Sequence, residues 1–350
     1  GNGLDDGFTS IIADAPATSN CNPVQWTGAT DTQWNDATNW DPQQVPNGNN
    51  VVNILNEYDD GSGLSPIINW PVLEADAGAG DLTMESNASV DLNGNLLALN
   101  GTLTGVVSGA SIDASLAGSE LFISSADAAN LPANFINNDV ANFTVENTTG
   151  ATVNSTMNIT EVLDVREGTL TTNGNITMKC FFDGEPNASD KRRTAQIDNL
   201  EGTINGEVEV EQCFPGRRAF RLVSASTTTS TSIHANWQEG ATAWDDPSVS
   251  NNYGTHITGV EPGYPNSNPP ESLDQTDGLD WQPSGNPSMY SFSNDANQTW
   301  DMVLETENLI TPSTPILSAG DAYRLLIRGA RKDLTDGLFD ITNNATPPTD

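Results

Sequence analysis

The chain has 350 residues, enough for two or three domains each with its own core. Twelve Lys+Arg stand against 47 Asp+Glu, a formal net charge of -35. Such a surface repels phosphate backbones and anionic headgroups, which sets nucleic acid and membrane surfaces aside. It suits a solvated extracellular surface screened by salt, or one that collects calcium and other hard cations. No apolar run is long enough to span a bilayer, so no membrane insertion is expected. The charge is also uneven: no Lys or Arg precedes Arg166, whereas about 21 acids do. Gly1 stands where a mature chain would begin after a signal peptide is cleaved, although an arbitrary boundary would look the same.

Residues 1–25 read as a polar N-terminal arm with one apolar run, Phe8-Thr9-Ser10-Ile11-Ile12. Two readings stand: a loosely attached terminus, or a strand that adds to a neighbouring subunit's sheet edge. Residues 26–50 form a Trp-rich cap. Trp26, Trp34 and Trp40 sit among Asn, Asp and Thr, and Val45-Pro46 follows. Three indoles in one compact segment can cover the first open rung of a strand stack, or stack on sugar rings. VVNIL (51–55) is an opening strand. In the loop after it, Asp59 and Asp60 precede Gly61, either as calcium ligands or as an Asp-rich turn.

From Leu82 to Met178 short apolar runs alternate with Asn-Gly, Gly-Asn, Ser and Thr. Asn93-Gly94-Asn95 leads into LLAL, and Asn173-Gly174-Asn175 leads into ITM. Asn-Gly favours positive φ, and alternating Val, Ile, Leu and Thr suit half-buried strands. Residues 51–213 are therefore expected to form a β-solenoid or β-helix-like region, with a meandering sheet as the alternative. Cys21, Cys180 and Cys213 match no metal spacing. Cys180 closes the apparent strand ITMKC and Cys213 closes VEVEQC, and ends of neighbouring strands could bring them together as a disulfide.

Residues 214–350 read as a β-sandwich module. AFRLVS, MYSFS, WDMVLET and YRLLIRG are strand candidates, separated by Pro-rich connections. Basic residues concentrate here and just before it. Arg217, Arg218 and Arg221 form one group, and Arg324, Arg328 and Arg331 another. They are candidate interface residues for the acidic face of a second copy, or they pair locally. Asp274, Asp277 and Asp280 flank Gly278 in a second candidate calcium loop, which lacks the terminal Glu of a full twelve-residue loop.

The phrases W-x-G…W-N-D-A-x-N-W…V-P and GRRAFRLVS…NWQEG…YGTHITG…YRLLIRG resemble those of large secreted surface proteins of the Bacteroidota, mainly flavobacteria. The resemblance spans residues 26–46 and 200–335. It implies an adhesin-like cell-surface protein exported by type IX secretion. Members of that class carry a C-terminal sorting domain. None is legible here, and the chain stops within what reads as continuing β structure.

No catalytic or cofactor-binding residue is assigned. His234 and His256 sit in no paired metal motif, and no GxSxG elbow, P-loop or GxGxxG fingerprint occurs. Paired carboxylates would serve glycoside hydrolysis, but with 47 acids some pair always fits. The expected function is a non-enzymatic extracellular structural protein, a self-associating surface, filament or sheath subunit. The alternatives are a carbohydrate-binding adhesin for extracellular polysaccharide and a polysaccharide-degrading enzyme on a β-solenoid.

Overall fold

The computed structural model describes residues 20–59, 61–104, 109–182, 192–198, 201–214, 219–238, 255, 257–259, 278–279, 286–307 and 315–327. The repeated Asn-Gly-Asn phrase makes the same turn twice. Asn93 and Gly94 have φ of 46° and 82°, and Asn173 and Gly174 have 52° and 72°. Both central residues of each turn are left-handed, the conformation that Asn and Gly tolerate. The turns close through Asn95 N to Leu92 O (2.8 Å) and Asn175 N to Thr172 O (2.9 Å). The side-chain amides then reach a neighbouring turn. Asn95 donates to Leu73 O and Asn175 to Val153 O, both at 2.9 Å and both across 22 residues.

That spacing is the repeat. Leu121 pairs with Leu97, 24 residues earlier, and with Phe143, 22 residues later. Strands stack in parallel on three faces. One face carries Ser89–Asp91, Ser111–Ala114, the first halves of Ile136–Glu146 and Met157–Glu167, Ile176–Met178 and Val208–Val210. The second carries Ala77–Ala79, Leu96–Leu99, Glu120–Ile123, the second halves of the two long strands and Gln196–Ile197. The third has one run from Asn20–Trp26 through Asn50–Ile54 and Leu82–Met84 to Leu103–Thr104. A second run goes from Ala129–Leu131 through Ala151–Val153 and Thr169–Thr171 to Thr203–Asn205. Parallel pairing at a fixed offset makes a β-solenoid and rules out the meandering sheet, whose neighbours would run antiparallel. With 47% strand and 3% helix among the described residues the fold is nearly all-β.

The core is a column of stacked side chains. Leu97, Leu121, Phe143 and Leu163 follow one another in register and are fully buried. Each such side chain contributes about 1.5–3 kcal/mol by leaving water. The solenoid starts earlier than the sequence suggests. Residues 20–25, expected in the arm, belong to the strand Asn20–Trp26, which stacks on Asn50–Ile54. Trp40–Asp41 pairs antiparallel along the other edge of that strand and closes it. In the last turn the chain leaves the stack. Val162 pairs with Gln196, 34 residues on, and the excursion contains the two paired strands Cys180–Phe182 and Arg192–Thr194.

The chain divides into two compact units. One holds the residues up to Phe181 with Arg193–Gln212, and the other holds Cys213 onward with Phe182–Arg192. The second unit contains a four-stranded antiparallel sheet in the order Ala219–Ser224, Ala322–Ile327, Met289–Phe292, Trp300–Met302. Its inner face buries Val223, Met289, Tyr323, Leu325 and Ile327 with Ile233, Ile257, Leu279 and Leu317. Ile233 lies on a short helix, Ile233–Trp237, capped by the Ser232 hydroxyl, which accepts from Ala235 N at 3.1 Å.

Phe143→Ala should lower the unfolding free energy of the solenoid by about 3–5 kcal/mol, because the stacked column cannot collapse onto the gap. Asp113→Asn, on the outer side of a strand, should change it by less than about 0.5 kcal/mol. Urea unfolding followed by far-UV circular dichroism measures both.

Candidate functional site

The Trp-rich segment is built for burial. Trp26, Trp34 and Trp40 are 0%, 0% and 1% exposed. Trp40 takes both others edge to face, with centroids 4.9 and 4.8 Å away. Trp26 Nε1 donates to Asn69 O (2.7 Å) and Trp40 Nε1 to Trp34 O (2.8 Å). Gly28 has φ 56°, and a Cβ there would lie 2.6 Å from Asn69 O. The polar residues of the motif hold the loop. Asn39, fully buried, accepts from Thr30 N and Asp31 N, and donates to the Asp31 carboxylate and Gln33 O. Asp36 caps the short 3-10 turn Ala37–Asn39. Sugar stacking by these indoles is overturned, since no ring face is open to solvent. The segment caps the stack.

The acidic solenoid uses its first cation locally. Arg166 Nε lies 2.7 Å from Asp164 and Nη1 3.7 Å from Glu146, and the guanidinium stands 5.7 Å from the Phe122 ring centre. Burial opposes the charge on Arg166, but Asp164, Glu120 and Glu146 outweigh it and raise its pKa. Lys179 pairs with Glu211, whose other oxygen accepts from Cys180 N at 3.1 Å. Cys180 and Cys213 are disulfide-bonded, as the pairing of Ile176–Met178 with Val208–Val210 allows.

Of the candidate calcium residues, Asp60, Asp274, Asp277 and Asp280 lie outside the described residues. Asp59 accepts from Gly61 N (2.9 Å) and Gly63 N (3.3 Å), so it serves the turn between Glu57–Asp59 and Leu64–Pro66. Gly278 is tied inward: its carbonyl accepts from Gln238 Nε2 (2.9 Å) and Thr306 Oγ1 (2.6 Å). Among the described residues no three His, Cys, Asp or Glu gather as a metal site. His234 is buried, with Nδ1 2.9 Å from the Glu307 carboxylate, and sits on the helix under the sheet. His256 lies outside the described residues.

The candidate interface residues separate. Arg217, Arg218, Arg328 and Arg331 lie outside the described residues. Arg221 and Arg324 fall on opposite faces of the antiparallel sheet. Arg221 is in register with Leu325 and shares the inner face, where its Nε is buried without a hydrogen-bond partner among the described residues. Alternate strand residues point to opposite sides, so Arg221 and Arg324 do not share a face of the sheet.

Arg324 faces outward. It stands in one row with Leu222, Tyr290 and Met302, and Phe220 lies opposite Leu326 in the adjacent row. The Arg324 guanidinium lies 4.1 Å from the Phe220 ring centre and 5.7 Å from that of Tyr290. In the next row of the same face Phe292 and Trp300 pack on each other, ring centres 5.1 Å apart. Leu222 is 77% exposed and Phe220 42%. The outer face is thus aromatic and apolar around one cation, and Arg324 makes no ion pair among the described residues. This is the candidate functional surface. AFRLVS already carries its signal, with apolar residues at 220, 222 and 223, on both parities of one strand. The contribution of Tyr290 and Trp300 depends on long-range pairing that local pattern does not encode.

Asn39→Ala should destabilise the cap by about 2–3 kcal/mol, because buried donors and acceptors lose their partner, and should red-shift tryptophan emission. The Thr38 hydroxyl, then the Thr38 amide, hold the Asp36 carboxyl below its ordinary value of 3.8. A depressed carboxylate stabilises the fold above that ordinary value and loses this as pH falls through the folded pKa. Emission should therefore respond to acid below pH 3.8, and less so in Asp36→Ala. Comparison with family models, curated proteins and solved structures gives no match to this chain.

Proposed function

We propose that the protein is a non-enzymatic extracellular structural subunit that associates with copies of itself. The observation that carries this reading is the outer face of the C-terminal sheet. Leu222 and Phe220 remain open to solvent beside Arg324 in a chain of net charge -35. An apolar patch around a cation that makes no ion pair among the described residues marks a contact surface. The complementary partner is acidic, and the solenoid of another copy supplies acids in excess, with no Lys or Arg before Arg166. The parallel stack serves as a stiff spacer between such contacts. Placement outside the cell, through a cleaved signal peptide, fits the Cys180–Cys213 disulfide. It also fits the resemblance to exported flavobacterial surface proteins.

Calcium enters this reading as a bridging counter-ion between acidic surfaces rather than as a required cofactor. Polysaccharide binding is the second reading. Burial of Trp26, Trp34 and Trp40 moves it to Phe292 and Trp300, which are half-exposed on the sheet.

At low ionic strength copies repel one another over a Debye length of about 30 Å, which shrinks to about 8 Å at 0.15 M. Sedimentation velocity should therefore find larger species as salt rises, with calcium acting beyond its ionic strength. Leu222→Asp should abolish them without lowering the unfolding midpoint. A parent protein that stays monomeric at high salt and with calcium would refute self-association. Binding of an algal or cell-wall polysaccharide by that monomer would favour the second reading.

A further inference from the structure

The last turn of the solenoid lies inside a covalently closed loop. The disulfide joins Cys180 to Cys213. Between them in sequence come Gln196–Ile197, Thr203–Asn205 and Val208–Val210, the last strand that the described residues place on each of the three faces. These strands are two or three residues long. Their core side chains Ile197, Ile204, Val208 and Val210 are only half-buried. The residues in register beneath them, Leu163, Leu170, Ile176 and Met178, are at most 1% exposed. Stability in a stack comes from neighbouring contacts, so a terminal turn with a half-buried core is the first to leave when the chain is pulled. Cys180 is placed more firmly. It follows Ile176–Met178, which pairs with the first half of Met157–Glu167 on one side and with Val208–Val210 on the other. Lys179 N donates to Ile159 O at 2.9 Å, and Glu211 N to Met178 O at 3.0 Å. One Glu211 carboxylate oxygen meets Lys179, and the other accepts from Cys180 N.

We propose that the Cys180–Cys213 bond carries tension past the last turn, so that a pull on the C-terminal end of the chain enters the stack at Cys180. The proposal deepens the reading of the solenoid as a stiff spacer, and it holds for a single copy whether or not copies associate. Tension follows the shortest covalent path. With the bond closed that path runs through the two sulfurs, and residues 181–212 lie off it. Force lowers only those barriers whose crossing lengthens the loaded path, and forced unfolding is governed by such barriers. Peeling Val208–Val210 from Ile176–Met178 lengthens nothing, because both ends of its loop are tied together. To yield, the stack must give up Ile176–Met178, which is held by a neighbour on each side. With the bond open, tension reaches Val208–Val210 directly and separates it from one neighbour, one hydrogen bond at a time. The long excursion before Gln196 falls in the same unloaded loop, so it interrupts the repeat without weakening the path. At the other end of the stack the buried Trp26, Trp34 and Trp40 cluster secures the first strand without a covalent bond.

Single-molecule pulling of the full chain through its two termini tests this, with handles attached without thiol chemistry. The parent is pulled before and after reduction with dithiothreitol, beside a variant carrying Cys180→Ser with Cys213→Ser. Reduction should add roughly 110 Å to the fully extended length, because residues 181–212 then join the loaded path. The reduced protein and the variant should release that length as a separate early step, at a force below every solenoid step of the oxidised parent. If the added length comes out only with the rest of the solenoid and at unchanged force, the bond closes the loop without bearing tension and the proposal is wrong. If reduction adds no length, the bond is not in the path and the proposal fails as well. Circular dichroism of the reduced parent at rest should match the oxidised protein. A loss of strand signal there would mean that the bond folds the last turn rather than carrying tension, which also overturns the proposal. Each of these results leaves self-association standing, since sedimentation reports it separately.

Discussion

Register between successive turns is the constraint on which the solenoid depends. Side chains alternate along a strand, so a slip of one residue would turn Leu97, Leu121, Phe143 and Leu163 out of the column and bring Glu120 in. Left-handed turns set where each strand begins. Amides such as Asn95 and Asn175 then fasten each turn to a neighbour through its backbone carbonyl. These bonds satisfy groups that a stack of very short strands would otherwise leave open. Stability therefore spreads along the axis through neighbouring contacts, as in other repeat architectures.

A stack of this kind must end, and the N-terminal end shows how. The open edge of Asn20–Trp26 is closed by Trp40–Asp41, while Trp26, Trp34 and Trp40 fill the space that a further turn would occupy. Asn39 holds the connecting loop through its side-chain amide. The polar residues of the W-N-D-A-T-N-W phrase are thus structural, each used in a cap, a turn or a hydrogen bond. The C-terminal sheet presents the contrary case. Its strand Ala219–Ser224 leaves Phe220 and Leu222 exposed beside Arg324.

Much of this was legible from local pattern. The Asn-Gly pairs and short aliphatic runs announce the turns and strands, and the all-β class and the disulfide follow. Four features were not legible. The first strand, Asn20–Trp26, reads as a polar arm because Asn, Cys and Pro open it, and only stacking on Asn50–Ile54 makes it a strand. The excursion before Gln196 breaks the spacing of about twenty residues and is not announced, although the strands beyond it fall within the expected bounds of 51–213. Arg221 and Arg324 look alike in sequence, yet strand parity turns them to opposite faces of the sheet. Aromatic clustering of Phe220 with Tyr290 joins residues 70 positions apart, which no local pattern encodes.

In the proposed reading the outer face of the C-terminal sheet makes the contact between copies. Hydrogen–deuterium exchange of the amides of Ala219–Ser224, compared between dilute monomer and salt-assembled protein, tests this most directly. Assembly should slow exchange in that strand by an amount that Phe220→Lys with Leu222→Lys abolishes, while the solenoid core strands stay unchanged. Unaltered exchange in Ala219–Ser224 on assembly would contradict the assignment of this surface.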